Sequence, residues 1–186
     1  MPPTPPARDR LRVVLISPKG PLYRHRGGVF GQTLRYMPLT FPTLAALIPD
    51  DVPVDLVCID EGIADVDLEI EADLVGMTVI TGSAMRAYEL AAHFRGRGIP
   101  VVLGGPHVTL APDDAAPHAD AIVVGYAEES WPELLRDFAA GRMRPRYDQR
   151  PDLDLSSSPL PDRSVLPGGA TSRPTSSKPP AAASTT

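Results

Sequence analysis

Short apolar runs alternate along the first part of the chain with longer segments in which apolar side chains recur every three or four positions. The apolar runs have the length and the β-branched content of buried strands, and the first of them ends at Pro18. They predict five strands, at residues 12–17, 54–60, 74–80, 100–103 and 120–124. The segments with helical spacing predict helices at residues 42–48, 83–97 and 128–140.

The alternation of strands and helices predicts the fold class. Strands that are apolar along their whole length are buried on both faces, as in parallel sheets. Short connections between alternating elements then favour an α/β protein with a doubly wound, five-stranded parallel sheet. The expected strand order is 2-1-3-4-5, which places a ligand crevice at the carboxyl ends of strands 1, 3 and 4.

Composition changes sharply at both ends of the chain, where proline, serine, alanine and threonine dominate. Such segments bury too little apolar surface to offset the entropy of ordering. We therefore expect a disordered amino terminus at residues 1–9, a folded domain at residues 10–147 and a disordered tail at residues 148–186.

Charge and cysteine content narrow the function classes. The net charge of −5 argues against nucleic acid as a partner. Cys58 is the only cysteine, so neither a disulfide framework nor a cysteine-rich metal site can form within one chain. No apolar run is long enough to span a membrane, and the first residues lack the pattern of a signal peptide. A cytoplasmic protein without a membrane partner is expected.

Glycines and polar side chains lie near the carboxyl ends of strands 3, 4 and 5 of the predicted sheet or directly after them, where they would line the crevice. Glycine permits close approach, and hydroxyls and free backbone amides suit a bulky ligand with amide and phosphate groups. The candidate residues are Thr78, Thr81, Ser83, Gly104, Gly105, Pro106, His107, Thr109, Gly125, Tyr126 and Glu128.

Each of these signals also has a purely structural interpretation. Gly104, Gly105 and Pro106 are equally consistent with a tight turn of no further function. Ser83 is typical of a helix N-cap, and Glu128 would be stabilised in the first turn of a helix by the helix dipole. Only the convergence of these turns at one sheet edge favours a ligand site.

The sequence lacks the residues that several common functions of α/β proteins require. The ends of strands 1 and 3 carry no acidic residues of the kind that a phosphoacceptor receiver domain needs. The sequence contains no G-x-G-x-x-G motif after strand 1, no P-loop and no G-x-S-x-G elbow. These particular functions are therefore not expected of the chain.

Three segments resemble the cobalamin-binding domain found at the amino end of B12-dependent radical SAM enzymes. They read Val-Gly-Met-Thr at 75–78, Val-Leu-Gly-Gly-Pro-His-Val-Thr at 102–109 and Ile-Val-Val-Gly at 122–125. The resemblance extends over about residues 10–150, and the Gly-Gly-Pro-His turn is its most specific part.

This resemblance implies a flavodoxin-like (Rossmann-like) domain that holds a corrinoid over the carboxyl edge of its sheet. The nucleotide tail would enter a slot between strands 1 and 4, lined by the residues at the end of strand 3. Gly104 and Gly105 would give the tail room, and His107 and Thr109 would lie near the ring or the tail edge. The candidates after strand 5 would approach the ribose or phosphate end of the tail.

The chain departs from the family in two respects. The D-x-H-x-x-G motif, whose histidine ligates cobalt in methyltransferase-type domains, is absent, and His25 has no aspartate two residues before it. We therefore expect that no histidine of this chain ligates cobalt in the way that the D-x-H-x-x-G histidine does, and we predict no metal ligand. The C-x-x-x-C-x-x-C motif of the radical SAM half is also absent, so no 4Fe-4S cluster can form on this chain alone. The sequence is interpreted as truncated before the radical SAM domain, with a tail that is natural or the product of a frameshift.

Three hypotheses follow for function. The first is a cobalamin-binding module that has no catalytic residues of its own and works with a separate radical SAM subunit. The second is a degenerate flavodoxin-like interaction domain that no longer binds cobalamin. The third is an enzyme that acts through His107 with Glu128.

Overall fold

A six-stranded parallel sheet forms the centre of the protein. The computed structural model describes residues 9–20 and 39–166, and the interpretations of His25 and of the chain ends at 1–8 and 167–186 lie outside these ranges. The strands are β1 Leu11–Ser17, β2 Val54–Asp60, β3 Leu74–Thr78, β4 Val101–Gly104, β5 Ala121–Val124 and β6 Arg146–Asp148. Their order is β2-β1-β3-β4-β5-β6, and every neighbouring pair is parallel.

This topology confirms the α/β fold class and the order of the first five strands, but the expected count of five was wrong. The sixth strand, β6, pairs with β5 at the edge of the sheet. It has three residues, of which only Tyr147 is buried, so it shows no apolar run. Pairing with β5 stabilises it, and the predicted domain boundary at residue 147 falls inside it.

Helices cover both faces of the sheet. The helices α1 Thr40–Ala46 and α5 Ser130–Ala139 lie on one face, where their apolar side chains pack with Leu11, Val13 and Leu15 of β1. The helix α2 Ala84–Gly96 lies on the other face and packs against Val14 and Ile16. The alternating side chains of one strand thus enter two separate cores, as in a doubly wound sheet.

Two short helices follow β4 where the sequence indicated only a turn. They are α3 Pro106–Leu110 and α4 Pro112–Ala115, and each has proline at its first position. Proline suits that position because its missing N–H needs no partner there. Gly105 precedes α3 with φ of 101°, so the chain turns sharply between β4 and the helix.

Beyond β6 the described chain returns to the opposite side of the domain. The backbone nitrogen of Asp162 donates to the carbonyl of Pro42 in α1 at 2.9 Å. Val165 packs against the core beneath α1 and α5. None of the helices within residues 9–20 and 39–166 is long and apolar enough to cross a membrane.

Candidate functional site

A cavity of about 700 Å³ opens at the carboxyl edge of the sheet, on the face covered by α1 and α5. Four strands contribute to its floor, and the two helices form its side walls. The floor and wall residues are Leu15, Gly76, Val102, Val123, Phe41, Leu44 and Trp131. This position is the one where ligands bind in open α/β sheets.

The deep end of the cavity is apolar and aromatic. Phe41 and Trp131 are almost completely buried, at 1% and 2% exposure. The indole Nε1 of Trp131 donates to the carbonyl of Leu44 at 3.2 Å and so joins α5 to α1. Gly76 leaves room here for the side chain of Leu15, because a Cβ atom at this position would lie 2.7 Å from Cδ2 of Leu15. The deep end can therefore receive a flat, largely apolar group.

Polar groups and exposed apolar side chains surround the mouth. Thr78, Thr109, Glu128 and Gln149 supply the polar atoms. Beside them, Leu39, Leu110 and Tyr126 line the cavity while remaining more than half exposed. A ligand whose polar edge surrounds an apolar body fits this distribution.

Gly104 and Gly105 have different roles at the end of β4. A Cβ atom at Gly104 would make only ordinary contacts, 3.5 Å from Cβ of Val123 and 3.7 Å from its carbonyl oxygen. A Cβ atom at Gly105 would lie 2.9 Å from the backbone nitrogen of Val79, and Gly105 has a positive φ. The turn therefore requires glycine at 105, whereas glycine at 104 keeps space open in the cavity wall.

The turn between β5 and α5 closes the cavity on its far side. Gly125 has φ of 86°, and its backbone nitrogen donates to Oγ1 of Thr109 at 2.9 Å. The backbone nitrogen of Tyr126 donates to Oε1 of Gln149 at 3.0 Å. Side chains from two flanking elements thus satisfy both amides, which the sequence analysis had treated as free for a ligand.

Most of the candidate residues come together at this cavity. Those that line it are Thr78, Gly104, Gly105, Pro106, Thr109, Gly125, Tyr126 and Glu128. Thr81, Ser83 and His107 do not line it. Thr81 is exposed, and the buried Ser83 donates its hydroxyl to the carbonyl of Ile80 at 3.2 Å rather than capping α2.

His107 is part of α3, and its side chain lies on the side of the sheet that α2 covers, where it contacts Tyr88. Its Nε2 is 2.9 Å from the hydroxyl of Tyr88 and 3.2 Å from Oδ2 of Asp114. The Tyr88 hydroxyl donates to the same Asp114 oxygen at 2.8 Å, so Nε2 of His107 is the donor toward the Tyr88 oxygen. Burial raises the pKa of Tyr88, and the Asp114 carboxylate raises it further.

This network holds α3 in place and keeps His107 apart from Glu128. His107 is 7% exposed, and its backbone nitrogen donates to the carbonyl of Val79 at 3.0 Å. Glu128, in contrast, lies at the mouth of the cavity. The arrangement gives no support to an enzyme that acts through these two residues together.

Sequence reasoning missed Phe41, Leu44, Trp131 and Gln149 as cavity residues. Trp131 is both core and cavity wall. Its position shortly after strand 5 was the available signal, because that connection begins at the carboxyl edge. Gln149 gave no signal, because it falls in the segment interpreted as a disordered tail.

Cys58 is the one cysteine of the sequence, and it does not line the cavity. Burial raises the pKa of the Cys58 thiol to about 12, so the thiol stays protonated near neutral pH. Within residues 9–20 and 39–166, no group of three or more histidine, cysteine or acidic side chains is arranged to hold a metal ion.

Comparison with known proteins identifies the fold family. Residues 45–135 match the family model described as the B12 binding domain. This part of the chain belongs to the B12-binding domain family. The match confirms the resemblance that the three sequence segments indicated, and it begins within α1 and ends within α5.

Curated relatives extend the comparison. A bacteriochlorophyllide d C-8(2)-methyltransferase of Chlorobaculum tepidum is 45% identical over 108 residues, which are 58% of this chain and 24% of that protein. A bacteriochlorophyllide d C-12(1)-methyltransferase of the same organism is 33% identical over 75 residues, 40% of this chain and 16% of that protein. An uncharacterized methyltransferase of Pyrococcus horikoshii is 35% identical over 100 residues, 51% of this chain and 21% of that protein. The chain thus spans about a quarter or less of the length of these relatives.

Proposed function

We propose that this B12-binding domain holds cobalamin in the cavity between α1, α5 and the carboxyl ends of the strands. The observation that carries the proposal is the open cavity itself, with Gly104 in its wall. The candidate residues that line it would be the contacts, and the chain would bind and orient the cofactor without being catalytic alone.

The residues present fit such a cofactor. The buried aromatic end, with Phe41 and Trp131, suits the flat heterocycle of a nucleotide tail. A Cβ atom at Gly104 would occupy part of the passage beside Val123, so glycine leaves the passage open there. At the mouth, Thr78 and Glu128 offer hydroxyl and carboxylate groups to the amides and hydroxyls of a corrinoid.

The exposed apolar residues of the mouth complete the fit. Leu39, Leu110 and Tyr126 give the edge of a macrocycle an apolar surface next to the polar groups. When bound, a corrinoid would supply a cobalt-carried methyl group for transfer. The residues of this chain would hold the tail, support the ring and exclude water from its lower face.

The relatives suggest the reaction in which such a module takes part. Two of them are named as bacteriochlorophyllide d methyltransferases that act at numbered carbon positions, C-8(2) and C-12(1). We infer that this chain serves methyl transfer to a carbon of its substrate. A radical SAM part, which would bring the iron–sulfur cluster, would lie outside this B12-binding domain. The open cavity favours this function over an interaction domain that has lost its cofactor.

Retention of the cofactor tests the proposal. Purified protein mixed with hydroxocobalamin at about 50 µM of each should carry the chromophore through gel filtration, since micromolar binding survives at this concentration. Its visible spectrum should differ from that of the free cofactor. Absence of any retained chromophore under these conditions would overturn the proposed function.

A further inference from the structure

Gln149 belongs to the cavity although it lies outside the part of the chain that matches the family model. That match ends at residue 135, whereas Gln149 directly follows β6. The edge strand therefore brings to the cavity wall a side chain that the family match does not include.

Gln149 forms hydrogen bonds with the two residues that flank Gly125 in the sequence, Val124 and Tyr126. Its backbone nitrogen donates to the carbonyl of Val124 at 2.9 Å and so continues the parallel ladder between β5 and β6. Its side-chain oxygen accepts from the backbone nitrogen of Tyr126 at 3.0 Å. A Cβ atom at Gly125 would lie 2.6 Å from both Cβ and Oε1 of Gln149. The glycine and the glutamine thus fit each other closely.

The strand that carries Gln149 is itself firmly held. Tyr147 is 2% exposed, and its hydroxyl donates to Oδ2 of Asp137 in α5 at 3.1 Å. The guanidinium of Arg144 lies 4.3 Å from the centre of the Tyr147 ring. Because β6 is fixed to α5 in this way, Gln149 can transmit that rigidity to the turn.

Gly125 is the point at which the turn would otherwise be free to move. Glycine with a positive φ has several accessible backbone conformations, and it carries no side chain that could pack. The two bonds from Gln149 restrict the residues on either side of it. The wall formed by Gly125, Tyr126 and Glu128 is therefore already shaped before a ligand arrives, which lowers the entropic cost of binding.

We propose that Gln149 is a positioning residue for corrinoid binding. It fixes the turn after β5 in the conformation that receives the nucleotide tail. This inference rests on the proposed function, and it adds a residue beyond the family match.

The test compares the wild-type protein with Gln149→Ala, Gln149→Glu and the control Asp148→Ala. Gln149→Glu keeps an oxygen that accepts from Tyr126. Asp148→Ala removes a surface ion pair with Arg146 on the same strand and leaves the turn untouched. The probes are hydroxocobalamin, which has the nucleotide tail, and dicyanocobinamide, which lacks it. Backbone amide exchange at Tyr126, measured without ligand, reports the turn itself.

For Gln149→Ala we expect binding of hydroxocobalamin to weaken about tenfold, which is the factor carried by one hydrogen bond. Binding of dicyanocobinamide should change less than about threefold, and the Tyr126 amide should exchange faster. Gln149→Glu should restore the protection of this amide, and Asp148→Ala should match the wild type. A Gln149→Ala protein with unchanged affinity for hydroxocobalamin would overturn the inference and leave the proposed function standing. A wild-type protein that binds neither corrinoid would overturn both.

Discussion

The backbone of Val79 packs so closely against Gly105 that a Cβ atom on the glycine would lie 2.9 Å from the Val79 nitrogen and 3.0 Å from its oxygen. The backbone nitrogen of Val79 donates to the carbonyl of Gly104 at 2.8 Å, and the carbonyl of Val79 accepts from the backbone nitrogen of His107 at 3.0 Å. The end of β3 and the start of α3 therefore lock together at this glycine. Gly104, one residue earlier, is under no such constraint, so the two neighbours can be separated experimentally.

We expect Gly104→Leu to fold normally and to lose corrinoid binding, because its side chain would fill the cavity beside Val123. Gly105→Ala should instead destabilise the fold by about 2 kcal/mol or more, because it combines a positive φ with backbone contacts near 3 Å. Thermal unfolding and hydroxocobalamin titration of the two variants measure the difference. Normal binding by Gly104→Leu would place the ligand elsewhere.

Glu61 is a fully buried carboxylate just beyond β2. It accepts from Nη2 of Arg86 at 2.6 Å and from the backbone nitrogen of Lys19 at 3.0 Å, and so connects α2 to the chain after β1. Burial raises the pKa of Glu61, but the bonds from Arg86 and Lys19 outweigh this effect and hold the pKa below its ordinary value. Folding therefore favours the ionised form.

We expect Glu61→Gln to lower the free energy of unfolding near neutral pH by about 1–3 kcal/mol, since it removes the charge of a buried pair. Because the folded pKa is lowered, this stabilisation is present above the ordinary value of 4.5 and disappears as pH falls through the folded pKa. The difference in the free energy of unfolding between wild type and Glu61→Gln should therefore become smaller in acid. Urea unfolding of both proteins across this pH range measures that difference.

Glu89 provides the matched control for this pair. Its Oε2 forms an ion pair with Nη1 of the same Arg86 at 3.0 Å, but its side chain is 65% exposed. Glu89→Gln should therefore lower the free energy of unfolding by less than about 1 kcal/mol. The role assigned to the buried carboxylate would be contradicted if the difference in the free energy of unfolding between wild type and Glu61→Gln stayed constant with pH.

His107 should act on stability rather than on the cofactor. His107→Ala removes the bonds to Tyr88 and Asp114, and we expect it to lower the free energy of unfolding by about 1–3 kcal/mol. The spectrum of bound hydroxocobalamin should stay the same, because His107 does not line the cavity. His93→Ala, at a partly exposed histidine of α2, serves as the control. A changed spectrum with unchanged stability would show that His107 contacts the corrinoid.

The sequence allowed prediction of five strands and of their order because each of those strands is apolar on both faces. It did not predict β6, since a three-residue edge strand with one buried side chain leaves no periodic signal. The helices α3 and α4 were missed for a similar reason. They are short, and proline at their first positions is as typical of a turn as of a helix start.

The candidate site was predictable in so far as it depends on where strands end. Thr78, Gly104 and Gly125 lie at or directly after the carboxyl ends of three neighbouring parallel strands, so their convergence followed from topology. The location of the His107 side chain did not follow, because the hydrogen bond from its backbone nitrogen to Val79 and its contact with Tyr88 direct it toward α2 and away from the cavity. Gln149 reaches the cavity only through pairing between β5 and β6, which no local pattern indicates.

The central claim is that a corrinoid binds at the carboxyl edge between α1 and α5. Backbone amide chemical-shift mapping of the full chain with stoichiometric hydroxocobalamin tests it most directly. We expect the large shifts at Gly104, Thr109, Gly125 and Tyr126, and little change at Gly98, which lies between α2 and β4 at the opposite edge. Shifts confined to that opposite edge, or no shifts at all, would contradict the account.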